Sequence, residues 1–411
     1  MIYPRQKLYD INFKSFFKCF ILGDLNKLKK NETEKEIIKK LRRSFFKAFG
    51  FNNILPLSMG RVAFYLAIKN SIKKNKTKIL LCPFTIFDMI NMIHLAGGKP
   101  DFVDSNINTP HMNYNDLKLK LTKDVAAIVI THYHNFNPNL REIYLLCKRR
   151  GIKIIEDYAI SLGSKRNLPV PDFAIFSFGL FKFISSLYGG ALFIKSEKLR
   201  KKIQYDVNKW PKMSTSDLLP VYIKGIKFLI FTKFFIFRIF TFPIFKIGYL
   251  KNINFIKKMS VNDPNPFYRK KLSNLMKKKL SIFQLKEIIR QIPNAKKNRI
   301  QRLKTAKIYF KNIKNYNVIK PKKIDKIKDC YLNYPIIVKD KKFYDKLMKN
   351  NYDASKYFYR NCSNLKIFRK FYTKKLINLQ NFVDRSIILP NYSGLSSKYV
   401  KRFTKFINNN S

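Results

Sequence analysis

The stretch Phe173-Ala-Ile-Phe-Ser177-Phe-Gly-Leu-Phe-Lys182-Phe-Ile-Ser-Ser-Leu-Tyr-Gly-Gly190 reads as a short apolar strand running into a turn that carries Ser177 and Lys182. Residues 191–194 then open a second strand. Lys182 stands among Phe181, Phe183 and Ile184. A buried ammonium must be paired, neutralised or chemically used. The position therefore makes Lys182 a candidate nucleophile of the Schiff-base kind, because desolvation lowers an amine's pKa and frees its lone pair. The plainer alternative is a surface lysine whose alkyl stem snorkels along apolar neighbours. What lies upstream bears on the choice.

Working outward, apolar strands and helical periodicities alternate. Residues 37, 38, 41, 45, 46 and 49 recur at helical spacing, so 34–49 is predicted to be an amphipathic helix. Residues 53–57 form a strand followed by Ser58-Met59-Gly60-Arg61 and a helix through 72. Strands are expected at 78–82, 100–103, 125–131 and 153–155, and helices at 86–95 and 139–149. Continuous apolar strands alternating with helices imply an α/β fold with a mainly parallel sheet covered on both faces. Ligands of such sheets sit outside the carboxyl ends of the strands. The turn at 58–61, Asp157 and Ser177 all fall at such ends.

Each of these has a bland reading. Small residues before a helix are commonly caps, and Asp157, closing a strand built on Ile152, Ile154 and Ile155, could cap the next segment. Together they describe a pyridoxal phosphate site. A lysine holds the aldehyde, a carboxylate keeps the ring nitrogen protonated, and a helix N-terminus with Gly60, Arg61 and Ser177 takes the phosphate. Gly60 permits close approach and Arg61 can grip a phosphate bidentately.

The ordered motifs resemble the DegT/DnrJ/EryC1/StrS family of sugar aminotransferases. Thr85, then Gly97-Gly98-Lys99-Pro100 and Val103-Asp104, is similar to one family run. Glu156-Asp157-Tyr158-Ala159 with Gly163, and Ser177-Phe178 to Lys182 followed by Gly189-Gly190, are similar to two others. Leu389-Pro390-Asn391-Tyr392-Ser393-Gly394-Leu395-Ser396 resembles the family's late segment. The resemblance implies the aspartate aminotransferase-like fold (fold type I), with an arm at 1–35, a large cofactor-binding domain at 36–280 and a small C-terminal domain at 281–411. It implies pyridoxal 5'-phosphate as cofactor, Lys182 and Asp157 as catalytic residues, and Gly60, Arg61 and Ser177 as further cofactor contacts. It also implies glutamate as amino donor, a nucleotide-linked ketosugar as acceptor, a homodimer, and products destined for surface polysaccharide or lipopolysaccharide.

The departures from the family pattern are specific. Ile160 replaces a glutamine, Ile86 an aromatic that stacks on the ring, with Phe84 and Phe87 as nearby substitutes, and Arg61 a threonine. Lys182 sets the chain apart from the related sugar 3-dehydratases, which carry histidine there. Tyr268-Arg269 resembles the segment that reaches the partner subunit's phosphate. Residues 280–312 read as the long helix entering the small domain, 331–338 as a strand there and 400–407 as the closing helix. The rival reading is a catalytically inactive relative that binds membranes or polyanions.

Composition bounds the rest. The 411 residues carry 84 Lys and Arg against 25 Asp and Glu, a formal net charge of +59, with 46% hydrophobic residues. That apolar fraction excludes global disorder. The charge suits an anionic membrane surface or nucleic acid, but the lysines are spread along the chain and no nucleic-acid-reading motif accompanies them, so specific nucleic-acid binding is not expected. Five scattered cysteines suggest a reducing compartment and no structural zinc. The patch at 16–22 is broken by Lys18 and has no cleavage signal, giving a cytoplasmic expectation. His132-x-His134 reads as polar loop residues rather than metal ligands. Residues 209–270 match the family least. Within them 228–245 is apolar but carries Lys233, Arg238 and a helix-breaking Pro243, which favours an interfacial or buried segment over a spanning helix. Membrane-surface contact through 224–250 is one expectation, and a buried or dimer-covering insertion the other.

Overall fold

The computed structural model describes residues 2–411 apart from 135–138, 164–168, 255, 257–264, 322–323, 326–328, 357–358, 370–371 and 373. Residues 255 and 257–264 of the expected insertion thus lie outside the described residues. The first strands are β1 (Ile54–Leu57), β2 (Lys78–Leu81), β3 (Phe84–Thr85), β4 (Lys99–Phe102), β5 (Val125–Thr131), β6 (Lys153–Asp157), β7 (Phe173–Ser177) and β8 (Gly190–Ile194). All but β3 join one seven-stranded sheet in the order β1-β8-β7-β6-β5-β2-β4. Pairings from β4 through β7 are parallel, and β8 runs antiparallel between β7 and β1. Because β8 opposes both neighbours, β1 runs with β7. The carboxyl ends of β1, β6 and β7 therefore share one edge, where the turn at 58–61, Asp157 and Ser177 come together.

Strands β1, β5, β7 and β8 are apolar along nearly their whole length because helices cover the sheet. Every residue of β1 and β8 is buried. The helix Glu34–Phe49 begins with a reciprocal cap between Thr33 and Glu36 and ends at Gly50, whose φ of 81° is the left-handed value that favours glycine. Its Ile37, Leu41 and Phe45 are buried, and the Phe45 ring meets Phe49 at 4.7 Å and Phe176 at 4.9 Å. Each such burial contributes roughly 1.5–3 kcal/mol. The helix Gly60–Lys69 packs on β7 and β8.

Beyond the sheet, the helix Ile282–Asn312 starts at a Ser281/Gln284 capping box and leads into a three-stranded antiparallel sheet, β12-β10-β9. These strands are β9 (Val318–Ile319), β10 (Tyr334–Val338) and β12 (Ser386–Leu389); the intervening β11 (Arg360–Asn361) reaches back to pair with β3. A second core gathers there around Tyr309, Tyr334, Phe343 and Phe403.

Within the arm, whose sequence shows little periodicity, Phe13–Ile21 is a helix, N-capped by Asn12, whose Phe13 and Phe16 are buried. The arm is also fastened down. Arg5 pairs with Asp353 at 2.6 Å, and Asp10 receives Arg290 at 3.1 Å and Asn294 at 2.8 Å. One local expectation needs correcting: Pro243 does not end its helix. It sits in the first turn of Phe242–Leu250, directly after a π-helical turn at Phe237–Thr241 that already shifts the backbone ladder, so its missing N–H disrupts little. The break falls earlier, after Thr215–Phe231, where the two helical stretches bend by 74°. Thr241 hydroxyl donates to the Phe231 carbonyl at 2.9 Å and pins the elbow.

Candidate active site

The turn after β7 is closed by its own backbone. Lys182 N–H donates to the Gly179 carbonyl at 3.1 Å, Ser186 N–H to Phe178 at 3.0 Å and Phe178 N–H to Gly189 at 2.9 Å. Buried Leu187 holds φ at 70°, a costly value for a branched side chain that its surroundings must enforce. Two glutamines of the helix Ile282–Asn312 supply that enforcement. Gln284 donates to the Ser186 and Tyr188 carbonyls at 2.9 and 3.0 Å. Gln291 donates to the Ser185 carbonyl at 2.7 Å and accepts its N–H at 2.9 Å. Sequence reasoning missed both, although amide side chains on the buried stripe of a long helix are a usable signal, since a buried amide needs partners.

Lys182 and Asp157 meet at this edge. Burial lowers the Lys182 ammonium to about 8; the Asp157 carboxylate opposes that fall and the Arg61 guanidinium adds to it. Asp157 is 7% exposed, and burial raises its pKa against the Ala159 N–H, Lys182 and His132. One Asp157 oxygen accepts the Ala159 N–H at 2.9 Å.

His132 and His134 lie in the loop after β5, as expected, but both are buried rather than facing water. His132 N–H donates to the Asp157 carbonyl at 3.0 Å, which continues the β5–β6 ladder, and its Nε2 lies 3.2 Å from Glu156. The Tyr144 and Tyr158 hydroxyls donate to the same buried carboxylate. His134 stacks on Tyr331, ring centroids 5.8 Å apart, and burial lowers it to about 3, a neutral ring. Strand-end position alone had hidden this, because burial of a loop residue depends on what packs over it.

The phosphate end is built on close approach. A Cβ on Gly60 would stand 3.1 Å from Ser177 Cβ, and one on Gly190 would stand 2.4 Å from the Gly60 nitrogen. The helix Gly60–Lys69 has no side-chain cap at its N-terminus, where Met59 holds the cap position. Its positive end therefore faces the Ser177 side of the edge. Arg61 points at buried Asp88, which also receives Arg269 Nε at 2.9 Å and Nη2 at 3.2 Å. Arg61 is thus engaged with an acid rather than waiting alone for a phosphate, and Tyr268-Arg269 lies against its own chain. Two guanidinium groups on one carboxylate leave a net positive charge beside the helix end. Asp88 could be foreseen only through tertiary contact, being helical and flanked by apolar residues.

The departures have defined places. Ile160 is 2% exposed and belongs to the main core. Ile86 is half-buried at the cap of the helix Phe87–Leu95. Phe84 packs on Tyr133, Tyr359 and Phe382, and Phe87 on Phe267, so both rings are committed to packing. Arg302 was also missed as a neighbour. It lines a cavity of about 10 Å³ with Lys182 and arm residues Arg5 to Tyr9. It donates to the Leu332 carbonyl at 2.6 Å and to that of Asn391.

These residues fit pyridoxal phosphate. The cradle at Gly60 and Ser177 would be filled by a Cβ, the helix end and paired arginines suit a phosphate, and buried Asp157 suits a cationic ring nitrogen. The chain matches known proteins in the same sense. GDP-perosamine synthase of Escherichia coli O157:H7 is 29% identical over 128 residues, 31% of this chain; the match spans about a third of that relative, 35% of its length. Helicobacter pylori PseC, described as an aminotransferase involved in the biosynthesis of pseudoaminic acid, superposes with a TM-score of 0.74 at 17% identity, covering 100% of this chain and 99% of its own. The sugar aminotransferase CalS13 from Micromonospora echinospora gives 0.69 at 15% identity with 100% of both chains covered. These likenesses give the fold, the aspartate aminotransferase-like fold type I. The model of the DegT/DnrJ/EryC1/StrS aminotransferase family matches residues 26–209 and 253–408, with the bent helices in its internal gap, and by that match the chain belongs to this family.

Proposed function

We propose that this chain is a pyridoxal-phosphate-dependent aminotransferase that converts a nucleotide-linked ketosugar to an aminosugar, with glutamate as amino donor. The observation that carries the reading is the convergence of a pKa-lowered Lys182 and a buried Asp157 on the edge that holds the uncapped helix end. The cofactor, when bound, supplies an electron sink for the carbanion. Lys182 would hold it covalently and, once displaced by the donor, take the proton from the donor's α-carbon at Nζ; an amine near 8 is poised for both steps. Asp157 would keep a proton on the ring nitrogen by its charge. Gly60, Ser177 and Arg61 would anchor the phosphate. The names of the perosamine and pseudoaminic acid enzymes and of the sugar aminotransferase CalS13 support a sugar acceptor; the reading extends to products destined for surface polysaccharide or lipopolysaccharide. The reading includes a homodimer, a cytoplasmic location, and a division into an arm (1–35), a large domain (36–280) and a small domain (281–411).

Absorption spectra of the purified chain with pyridoxal phosphate, before and after glutamate, test it. A visible band that bleaches with glutamate and is missing in Lys182→Ala is expected. Folded wild-type protein without a band would overturn the proposal. That outcome would favour the second reading, an inactive relative, whose support is the buried Ile160 and the aliphatic Ile86 where the family places polar and aromatic groups. Light scattering tests the dimer.

A further inference from the structure

The stretch that the family model skips forms two helical segments, Thr215–Phe231 and Phe234–Leu250, meeting at the 74° elbow. Among the described residues no single helix is long and apolar enough to cross a membrane, and this bent pair passes only by length and composition. Its inner side is well partnered. Leu218 and Val221 join Phe13, Phe16 and Leu180 in a core cluster, and the Phe181 and Phe228 rings meet at 4.9 Å. Phe237 and Phe242 join the second core, and the Tyr249 hydroxyl donates to Asp345 at 2.5 Å.

The outer side inverts the usual pattern. Leu219, Ile223 and Ile230 recur at helical spacing on the side away from the buried Leu218, Val221 and Gly225 and are exposed, while Ile226 between them is partly buried against the inner core. At the elbow Phe231, Phe235, Ile239 and Phe240 are exposed, Phe235 by 73% and Phe240 by 60%. A contiguous apolar surface of this kind marks an interaction site in a folded protein. Its charge selects the partner. Between 215 and 251 the cations are Lys224, Lys227, Lys233, Arg238, Lys246 and Lys251, and the one acid, Asp217, is already paired with Lys278. Lys224, Lys227, Lys233 and Arg238 are exposed around the apolar stripe. A second copy docking through the same patch would set these cations against their own counterparts. Aliphatic and aromatic groups ringed by lysine and arginine instead match an anionic bilayer surface, whose headgroups take the cations while the rings enter the acyl boundary.

We propose that the elbow of these two helices docks the protein peripherally on an anionic lipid surface, independently of the chemistry at Lys182. The test is co-sedimentation of the full chain with phosphatidylcholine vesicles, with and without phosphatidylglycerol as about a third of the lipid, comparing wild type, Phe235→Asp/Phe240→Asp and Lys224→Glu/Lys227→Glu. Because a chain of net charge +59 adsorbs to any anionic surface, the aromatic variant is decisive: it keeps nearly all of that charge. Wild type should pellet with anionic vesicles only, and the aromatic variant should lose roughly tenfold or more in partitioning. The charge variant should lose binding as well. A Phe235→Trp variant should shift its emission to the blue on anionic vesicles. Equal partitioning of the aromatic variant and wild type, or an unshifted Phe235→Trp, would mean charge adsorption alone and would overturn the proposal. So would lipid-independent self-association that the aromatic variant abolishes, since the patch would then be covered by a second copy.

Discussion

Replacing Gly190 by alanine probes the closest approach in the site. The added Cβ would stand 2.4 Å from the Gly60 nitrogen, 2.5 Å from the Met59 carbonyl carbon and 2.8 Å from the Gly60 Cα, against ordinary contact at 3.4–4 Å. All three are backbone atoms, so no side chain can swing away; the start of the helix Gly60–Lys69 must withdraw from β8 by about 1 Å. Forcing one methyl into such packing costs roughly 1–3 kcal/mol. The same withdrawal carries the helix N-terminus away from Ser177, and a misplacement of about 1 Å at a positioned site can cost on the order of a hundredfold in rate. Urea unfolding and titration with pyridoxal phosphate should therefore both respond, stability falling by about 1–3 kcal/mol and cofactor affinity by tenfold or more. Gly179→Ala is the control, because its Cβ would meet nothing closer than Ser177 Oγ at 3.8 Å. Wild-type behaviour of Gly190→Ala, or equal damage from Gly179→Ala, would refute the packing argument.

Other expectations follow from the charges. Lys182 lies at about 8 instead of 10.5, so its neutral fraction rises through pH 8; borohydride trapping of pyridoxal phosphate on the chain should climb to half its maximum near there, and a midpoint close to 10 would contradict the burial. Asp88→Ala removes the acid shared by Arg61 and Arg269; with side-chain exposures of 3%, 36% and 15%, stability should fall by about 2–3 kcal/mol in urea. Arg269, Arg61 and Asn91 hold the Asp88 pKa below its usual value despite burial. Its stabilising contribution is thus present above the unfolded carboxylate value and lost as pH falls through the lower native one, so wild type and Asp88→Ala should converge in stability in strong acid. Asp353→Ala strands Arg5, whose partner is 2% exposed, and should release the arm, read as faster proteolysis near the N-terminus at a stability cost of about 3 kcal/mol.

The large sheet was legible in the chain because strands buried on both faces must be apolar throughout and helices alternate at their own period, so β5 and the helix Glu34–Phe49 fall where the pattern puts them. Lys182, Asp157, Gly60 and Ser177 could be nominated for a related reason: the strand order of a parallel sheet sends the ends of its strands to one edge. Local pattern could not say which side chains that edge would engage. Asp88 receives Arg61 from 27 positions away and Arg269 from 181, and Gln284 and Gln291 hold the lysine turn from about a hundred residues away. His132 and His134 carry no mark of burial in their own neighbourhood. Nor does the composition of 215–250 reveal that its elbow falls at 232–233 with the apolar stripe outward. Hydrophobicity and spacing are properties of a segment and are written in it. Partnership, burial and pKa depend on what the rest of the chain brings alongside, and only the folded molecule decides them.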